Sequence, residues 1–221
     1  MTGPRIGITQ RVEDLPDRGE RRDCLDQAWA VLLEGNGMVP VPIPNRLADV
    51  AAFVDATDLA LVVLSGGGDL AHLPGATAPA PERDATETKL LDLASHRALP
   101  VLGVCRGLQV MVTRAGGKLS RVVGHVRAPH AVAIDSARWP LRDGRVVNSF
   151  HDWGITAGAT GTFVPLAHAP DGTIEAACHP DLPHVGVMWH PERAPQSGAD
   201  LDLIRALLEH DPHASSRSRG G

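Results

Sequence analysis

The sequence predicts an α/β fold with a mostly parallel central sheet flanked by helices and a small antiparallel strand extension. Two observations carry this. In the first half, apolar runs of strand length alternate with helical segments through short connections, the pattern of a parallel sheet covered on both faces. In the second half, short strand-like segments are separated by Gly, Pro and Asp turns, which suits antiparallel pairing.

The elements follow in order. Residues 5–9 (RIGIT) read as a first buried strand. Leu25, Ala28, Trp29, Leu32 and Leu33 recur at helical spacing and predict a helix over 23–34, stopped by Gly35 and Gly37. A proline-interrupted strand is expected over 38–43 and a short helix over 47–54. Residues 59–64 (LALVVL) form a continuous apolar run, as in a strand buried on both faces. A loop is expected over 70–82, a helix over 84–96, a buried strand over 99–104 and a helix over 107–115. Beyond these, strands are expected near 132–134, 146–148, 163–168, 173–177 and 185–189, then a last helix over 200–210. One domain over 1–212 is expected, with a polar, disordered tail at 213–221.

Bulk properties exclude several classes of function. A chain of 221 residues with 43% hydrophobic content can bury one proper core. Its net charge of −5 is mild and its basic residues are interleaved with acids, which argues against nucleic acid as a partner. No apolar run approaches the ~20 residues of a membrane span, and the first residues lack a signal-peptide core. The expectation is therefore a cytoplasmic protein with a small-molecule partner, a homodimer being left open. The three cysteines are odd in number and widely spaced, which argues against a disulfide framework. No paired Cys/His spacing resembles a zinc site, so no metal or organic cofactor is expected.

One cysteine has a reason to react. Gly103-Val104-Cys105-Arg106-Gly107 lies where a buried strand meets a helix. Such a turn lifts its central side chain above the sheet edge, as in the G-x-S-x-G nucleophile turn. The helix N-terminus favours a thiolate there and offers N–H groups to an oxyanion. Read alone, the motif suits a structural cysteine equally well. Met188-Trp189-His190-Pro191-Glu192 supplies partners. His190 can act as base and then acid, and Glu192, two residues on, can lie alongside it and orient the ring. Ser65-Gly66-Gly67-Gly68 ends another buried strand on the same edge, so its N–H groups can complete an oxyanion hole with that of Arg106. It lacks the GK[ST] ending of a phosphate loop.

Five collinear pieces share a resemblance: LSGGGDL at 64–70, APERDATE at 80–87, GVCRGLQVM at 103–111, VNSFHDWGI at 147–155 and MWHPER at 188–193. Together they resemble class I glutamine amidotransferase domains, and more narrowly the γ-glutamyl hydrolases of the peptidase C26 type. The resemblance implies the flavodoxin-like fold of that class and a hydrolase that cleaves a γ-glutamyl amide. It implies Cys105 as nucleophile, His190 as general base and acid, and Glu192 as the orienting acid. It implies oxyanion donors at Gly67 or Gly68 and at Arg106, with Gln109, Asn148, Ser149 and His151 helping to hold the glutamyl group.

Finer features are most similar to the γ-glutamyl-CDP-amidate hydrolase group, which releases glutamate and leaves a CDP-linked phosphoramidate. His151-Asp152-Trp153 stands where the polyamine-pathway enzymes tend to carry a His-Gln pair. Arg11, Arg18, Arg21 and Arg22 cluster after the first strand, at the edge where α/β sheets bind ligands, and Arg21 and Arg22 are candidates for a phosphate-bearing leaving group. The same cluster also reads as a solvated loop balanced by Glu13, Asp14, Asp17, Glu20 and Asp23. Rival readings are a γ-glutamyl-γ-aminobutyrate-type hydrolase, a glutaminase subunit donating ammonia to a synthetase partner, and a non-catalytic binding module.

Overall fold

The computed structural model describes residues 3–194 and 198–210; the expected tail at 213–221 lies outside them. β1 (Arg5–Thr9) is followed by a hairpin of β2 (Arg11–Leu15) and β3 (Glu20–Cys24). Next come α1 (Ala28–Glu34), β4 (Val39–Ile43), α2 (Val50–Thr57), β5 (Leu59–Leu64), α3 (Pro81–Arg97), β6 (Val101–Val104) and α4 (Arg106–Arg114). Only two-residue strands follow: β7 (Ser120–Arg121), β8 (His130–Ala131), β9 (Ala133–Ile134), β10 (Val146–Val147) and β11 (Trp153–Gly154). The last elements are β12 (Val164–His168), β13 (Ile174–Cys178), β14 (His184–Val187) and α5 (Gly198–Leu208).

The main sheet has eight strands in the order β4-β1-β5-β6-β14-β13-β12-β9. Pairing is parallel from β4 to β14 and antiparallel from β14 to β9, which is the predicted parallel sheet with its antiparallel extension. The alternation of β5 shows how the sheet is covered. Leu61 and Val63 face a core completed by Trp29, Leu32 and Leu33 of α1 and by Leu203, Ile204 and Leu207 of α5. Val62 and Leu64 face a second core formed with α2, α3 and α4 through Val54, Leu90, Leu108 and Val112. A strand buried on both faces has no polar side to show, hence the unbroken LALVVL.

Several boundaries differ from the sequence reading, each for a local reason. The helix expected from residue 23 starts at Ala28, because Asp23 is held in a strand. Its two oxygens accept from the backbone N–H and the side-chain amide of Asn45, both at 2.8 Å. The helix expected over 47–54 runs over 50–57, because Asp49 caps it by accepting from the Ala52 N–H at 2.9 Å. α3 begins at Pro81, inside the expected loop, with proline in the first turn where its missing N–H costs nothing. The arginine-rich loop is instead the β2–β3 hairpin, with Asp14 opposite Arg21 and Glu13 opposite Arg22. Opposite charges facing each other across two strands favour that pairing.

Candidate active site

Three connections at the carboxyl edge of the parallel strands build the site. β6 ends at Cys105, which joins it to α4 with φ 51° and ψ −104°. That is an unusual backbone for a residue with a side chain, and such geometry persists only where the surroundings fix it. Here the Cys105 N–H donates to the Val187 carbonyl at 2.7 Å, tying the turn to β14, while its own carbonyl accepts from the Gln109 N–H at 3.2 Å, within α4. The side chain is 6% exposed.

β14 delivers the second part. His190 Nδ1 lies 2.6 Å from Glu192 Oε1, and both side chains are buried. Asn148 brackets the histidine backbone: its Oδ1 accepts from the His190 N–H at 2.8 Å, and its amide donates to the His190 carbonyl at 2.9 Å. Burial disfavours the imidazolium, but Cys105 and then Glu192 outweigh it and raise His190 to about 9. Protonated His190 is thus held between the sulfur and a carboxylate.

The third part is the glycine turn after β5. A Cβ on Gly66 would sit 2.5 Å from His190 Cε1, so the imidazole occupies the space that any other residue would fill. Gly67 and Gly68 both have positive φ, and their N–H groups have no carbonyl acceptor among the described residues. The turn is shaped from beneath by a buried ionic network. Arg83 donates to the carbonyls of Ser65, Gly66 and Gly67, and to Glu87 at 2.8 Å. Glu87 also accepts from Arg106, and from the Thr9 hydroxyl at 2.7 Å. The Thr9 oxygen in turn accepts from the Ser65 N–H. The Arg106 guanidinium is therefore committed to Glu87 and Asp84, while its backbone N–H lies at the start of α4.

One cleft of about 180 Å³ brings together Gly67, Gly68, Cys105, Gln109 and His190. Its far wall is the Phe150–Trp153 segment, tied down by the Gln109 amide donating to the Trp153 carbonyl at 2.8 Å. His151 lines the cleft, but both its ring nitrogens face protein groups: Nδ1 lies 3.1 Å from the Trp153 carbonyl and Nε2 lies 3.5 Å from Glu175. The Ser149 hydroxyl is spent on the His125 carbonyl at 2.6 Å. Arg21 and Arg22 are not brought to this cleft. They are exposed on the hairpin, Arg21 paired with Asp14 and Glu82, and Arg22 with Glu20. Arg11 is the arginine of that cluster that reaches the glycine turn. It lines an adjoining cleft of about 380 Å³ that shares Gly67, Gly68 and Arg106 with the first.

Sequence reasoning missed the Arg83–Glu87–Arg106 network. It also missed His125, His130 and Glu175, which meet beside His151. Buried Arg and Glu four residues apart on one helix were the available signal for the first. The histidines are scattered over separate loops and gave none.

A family model for Peptidase C26 matches residues 4–192. The chain belongs to the Peptidase C26 family. It is 30% identical over 208 residues to a γ-glutamyl-CDP-amidate hydrolase of Campylobacter jejuni, covering 92% of this chain and 96% of the relative. It is 26% identical to a γ-glutamyl-γ-aminobutyrate hydrolase of Escherichia coli K12, covering 95% of this chain and 92% of the relative. Among solved structures, a glutamine amidotransferase of Thermotoga maritima superposes with a TM-score of 0.70 at 14% identity, covering 95% of this chain and all of that one. That similarity shows the class I glutamine amidotransferase fold. Membership of the peptidase family makes the chain a hydrolase of a C–N amide bond. No helix among the described residues is long and apolar enough to cross a membrane.

Proposed function

We propose that the protein cleaves a γ-glutamyl amide through a thioester on Cys105, with a γ-glutamyl-CDP-amidate-type compound as substrate. The observation that carries the reading is the meeting of Cys105, the His190–Glu192 pair and the Gly67–Gly68 turn in one cleft. In the first half-reaction the sulfur attacks the γ-carbonyl, forming an S–C bond. The oxyanion is held by the N–H groups of Gly67 or Gly68 and of Arg106. The C–N bond then breaks, and His190 gives its proton to the departing nitrogen. In the second half, neutral His190 takes a proton from water as its oxygen attacks the thioester carbonyl. The S–C bond breaks, glutamate leaves, and the sulfur regains its starting state beside protonated His190.

The glutamyl group lies against Gln109 and the Phe150–Trp153 wall. Asn148, Ser149 and His151 shape that wall and place His190 through the contacts described above. Asp69, Asp152 and Arg193 all line the cleft, so charges of both signs are present for an α-amino acid. The leaving group extends past Gly67 into the adjoining cleft, where Arg11 is the cation available to a phosphate. The similarity to the C. jejuni enzyme supports this reading over an amine leaving group. Side-by-side measurement of glutamate release from γ-glutamyl phosphoramidates, γ-glutamyl amines and glutamine tests it. A preference for the phosphoramidates is expected, and a clear preference for glutamine would overturn it.

The electrostatics give a pH signature. With His190 raised to about 9, kcat/KM is expected to fall as pH rises through that value, because the proton for the leaving nitrogen is lost. Removing the carboxylate by Glu192→Gln withdraws one group that favours the imidazolium. The descending limb should therefore move to lower pH, together with a fall in rate. A limb that stays in place would show that Glu192 does not tune His190.

A further inference from the structure

Away from the cysteine, one buried carboxylate is surrounded by imidazoles. Glu175 on β13 is fully buried, and its Oε1 lies 3.3 Å from His125 Nδ1, 3.3 Å from His130 Nε2 and 3.5 Å from His151 Nε2. Among the described residues, none of these three nitrogens, and neither Glu175 side-chain oxygen, has a hydrogen-bond partner. His125 and His151 are 3% and 4% exposed, so bulk solvent does not reach these nitrogens.

The opposite side of each ring explains why the nitrogens stand bare. His125 Nε2 is 2.9 Å from Asp171 Oδ2, His130 Nδ1 is 3.2 Å from the Ala128 carbonyl, and His151 Nδ1 is 3.1 Å from the Trp153 carbonyl. All three partners only accept, so each takes the ring proton and fixes the tautomer. Three lone pairs then point at a carboxylate, which is four acceptors and no donor in a buried space. That arrangement is repulsive unless a cation sits among them. A proton on one ring answers one contact and leaves the other two nitrogens facing the same oxygen.

We propose that His125 Nδ1, His130 Nε2 and Glu175 Oε1 bind a zinc ion. The ligand atoms of His125, His130 and Glu175 all lie within 4.8 Å of one another. Tetrahedral zinc with bonds of roughly 2.0–2.1 Å separates neighbouring ligand atoms by about 3.3 Å, and both histidine nitrogens lie 3.3 Å from Glu175 Oε1. Imidazole and carboxylate are the right donors, and the outer partners of the rings are those that metal-bound histidines require. The ligands come from β13, from β8 and from the loop before β8, which makes the site structural. It joins β13 to residues 118–163, a stretch with only two-residue strands that carries the Phe150–Trp153 wall of the cleft. Irregular segments of this kind gain most from a metal staple.

The test is the metal content of the full-length chain, expressed with zinc in the medium and measured by mass spectrometry of the elements. One zinc per chain is expected in the wild type and in Cys105→Ala, with only traces in Glu175→Gln and His130→Ala. Zinc removal from the wild type by a chelator should lower Tm by several degrees, and added zinc should restore it. This second measurement decides the matter if the variants do not fold. A wild-type chain with only trace zinc, a Tm indifferent to chelator and zinc, or zinc retained in full by Glu175→Gln would overturn the proposal. None of these readouts depends on the substrate.

Discussion

Cys105→Ala is expected to lower kcat by roughly 10⁴-fold or more and to leave the fold intact. The loss is large because, in the proposed mechanism, the sulfur forms the bond on which both half-reactions depend, and neither other cysteine is placed to replace it. Cys24 lies on the hairpin, where burial and Glu13 push its thiol up. Cys178 is fully buried in β13, and burial pushes its thiol up too. The fold should survive because alanine adopts the same position with less bulk, and the turn is fixed by the Cys105 N–H bond to Val187 rather than by the sulfur. Steady-state glutamate release and thermal unfolding of the variant check both halves. Activity near that of the wild type would remove Cys105 from the mechanism.

The second large effect is on stability. Glu87→Ala is expected to cost roughly 3–5 kcal/mol, because it strands two buried guanidinium groups. For a domain of this size that is a fall in Tm of roughly 10 °C. Burial works against the charge of Glu87, but Arg106 and Arg83 outweigh it and hold the carboxyl below its usual range. Arg83, in turn, is pushed down to about 10 by burial and by Arg106, so it tolerates its site only with Glu87 beside it. The same substitution frees Arg83 from the position in which it gathers the carbonyls of Ser65, Gly66 and Gly67. Activity should therefore fall in the folded variant as well. An unchanged Tm would show that the network is not what holds the glycine turn.

These two residues mark what a sequence can and cannot show. The turn at Cys105 was visible because a tight strand-to-helix connection leaves a local pattern, with glycines on both sides and a strand before it. The parallel strands were visible for a similar reason: burial on both faces leaves an unbroken apolar run. His190 and Glu192 fall within three residues of each other, so their pairing was local too. Glu87 and Arg106 meet across two helices, and nothing in either segment announces the other. The arginine hairpin was misjudged as a loop because its stability comes from cross-strand charge pairs, whose register cannot be seen along one strand. Of the four arginines grouped there, only the structure separates Arg11, beside the glycine turn, from Arg21 and Arg22, which are held by acids. His125, His130 and Glu175 converge only through the pairing of β13 with its neighbours and the course of two loops.

If one activated cysteine attacks a γ-glutamyl carbonyl, covalent labelling should find it. The protein would be treated with a thiol-reactive glutamine analogue, then examined by intact mass and peptide mapping. A single adduct on Cys105 is expected, blocked by substrate and absent from Cys105→Ala. An unlabelled Cys105, or an adduct on Cys24 or Cys178 instead, would contradict it.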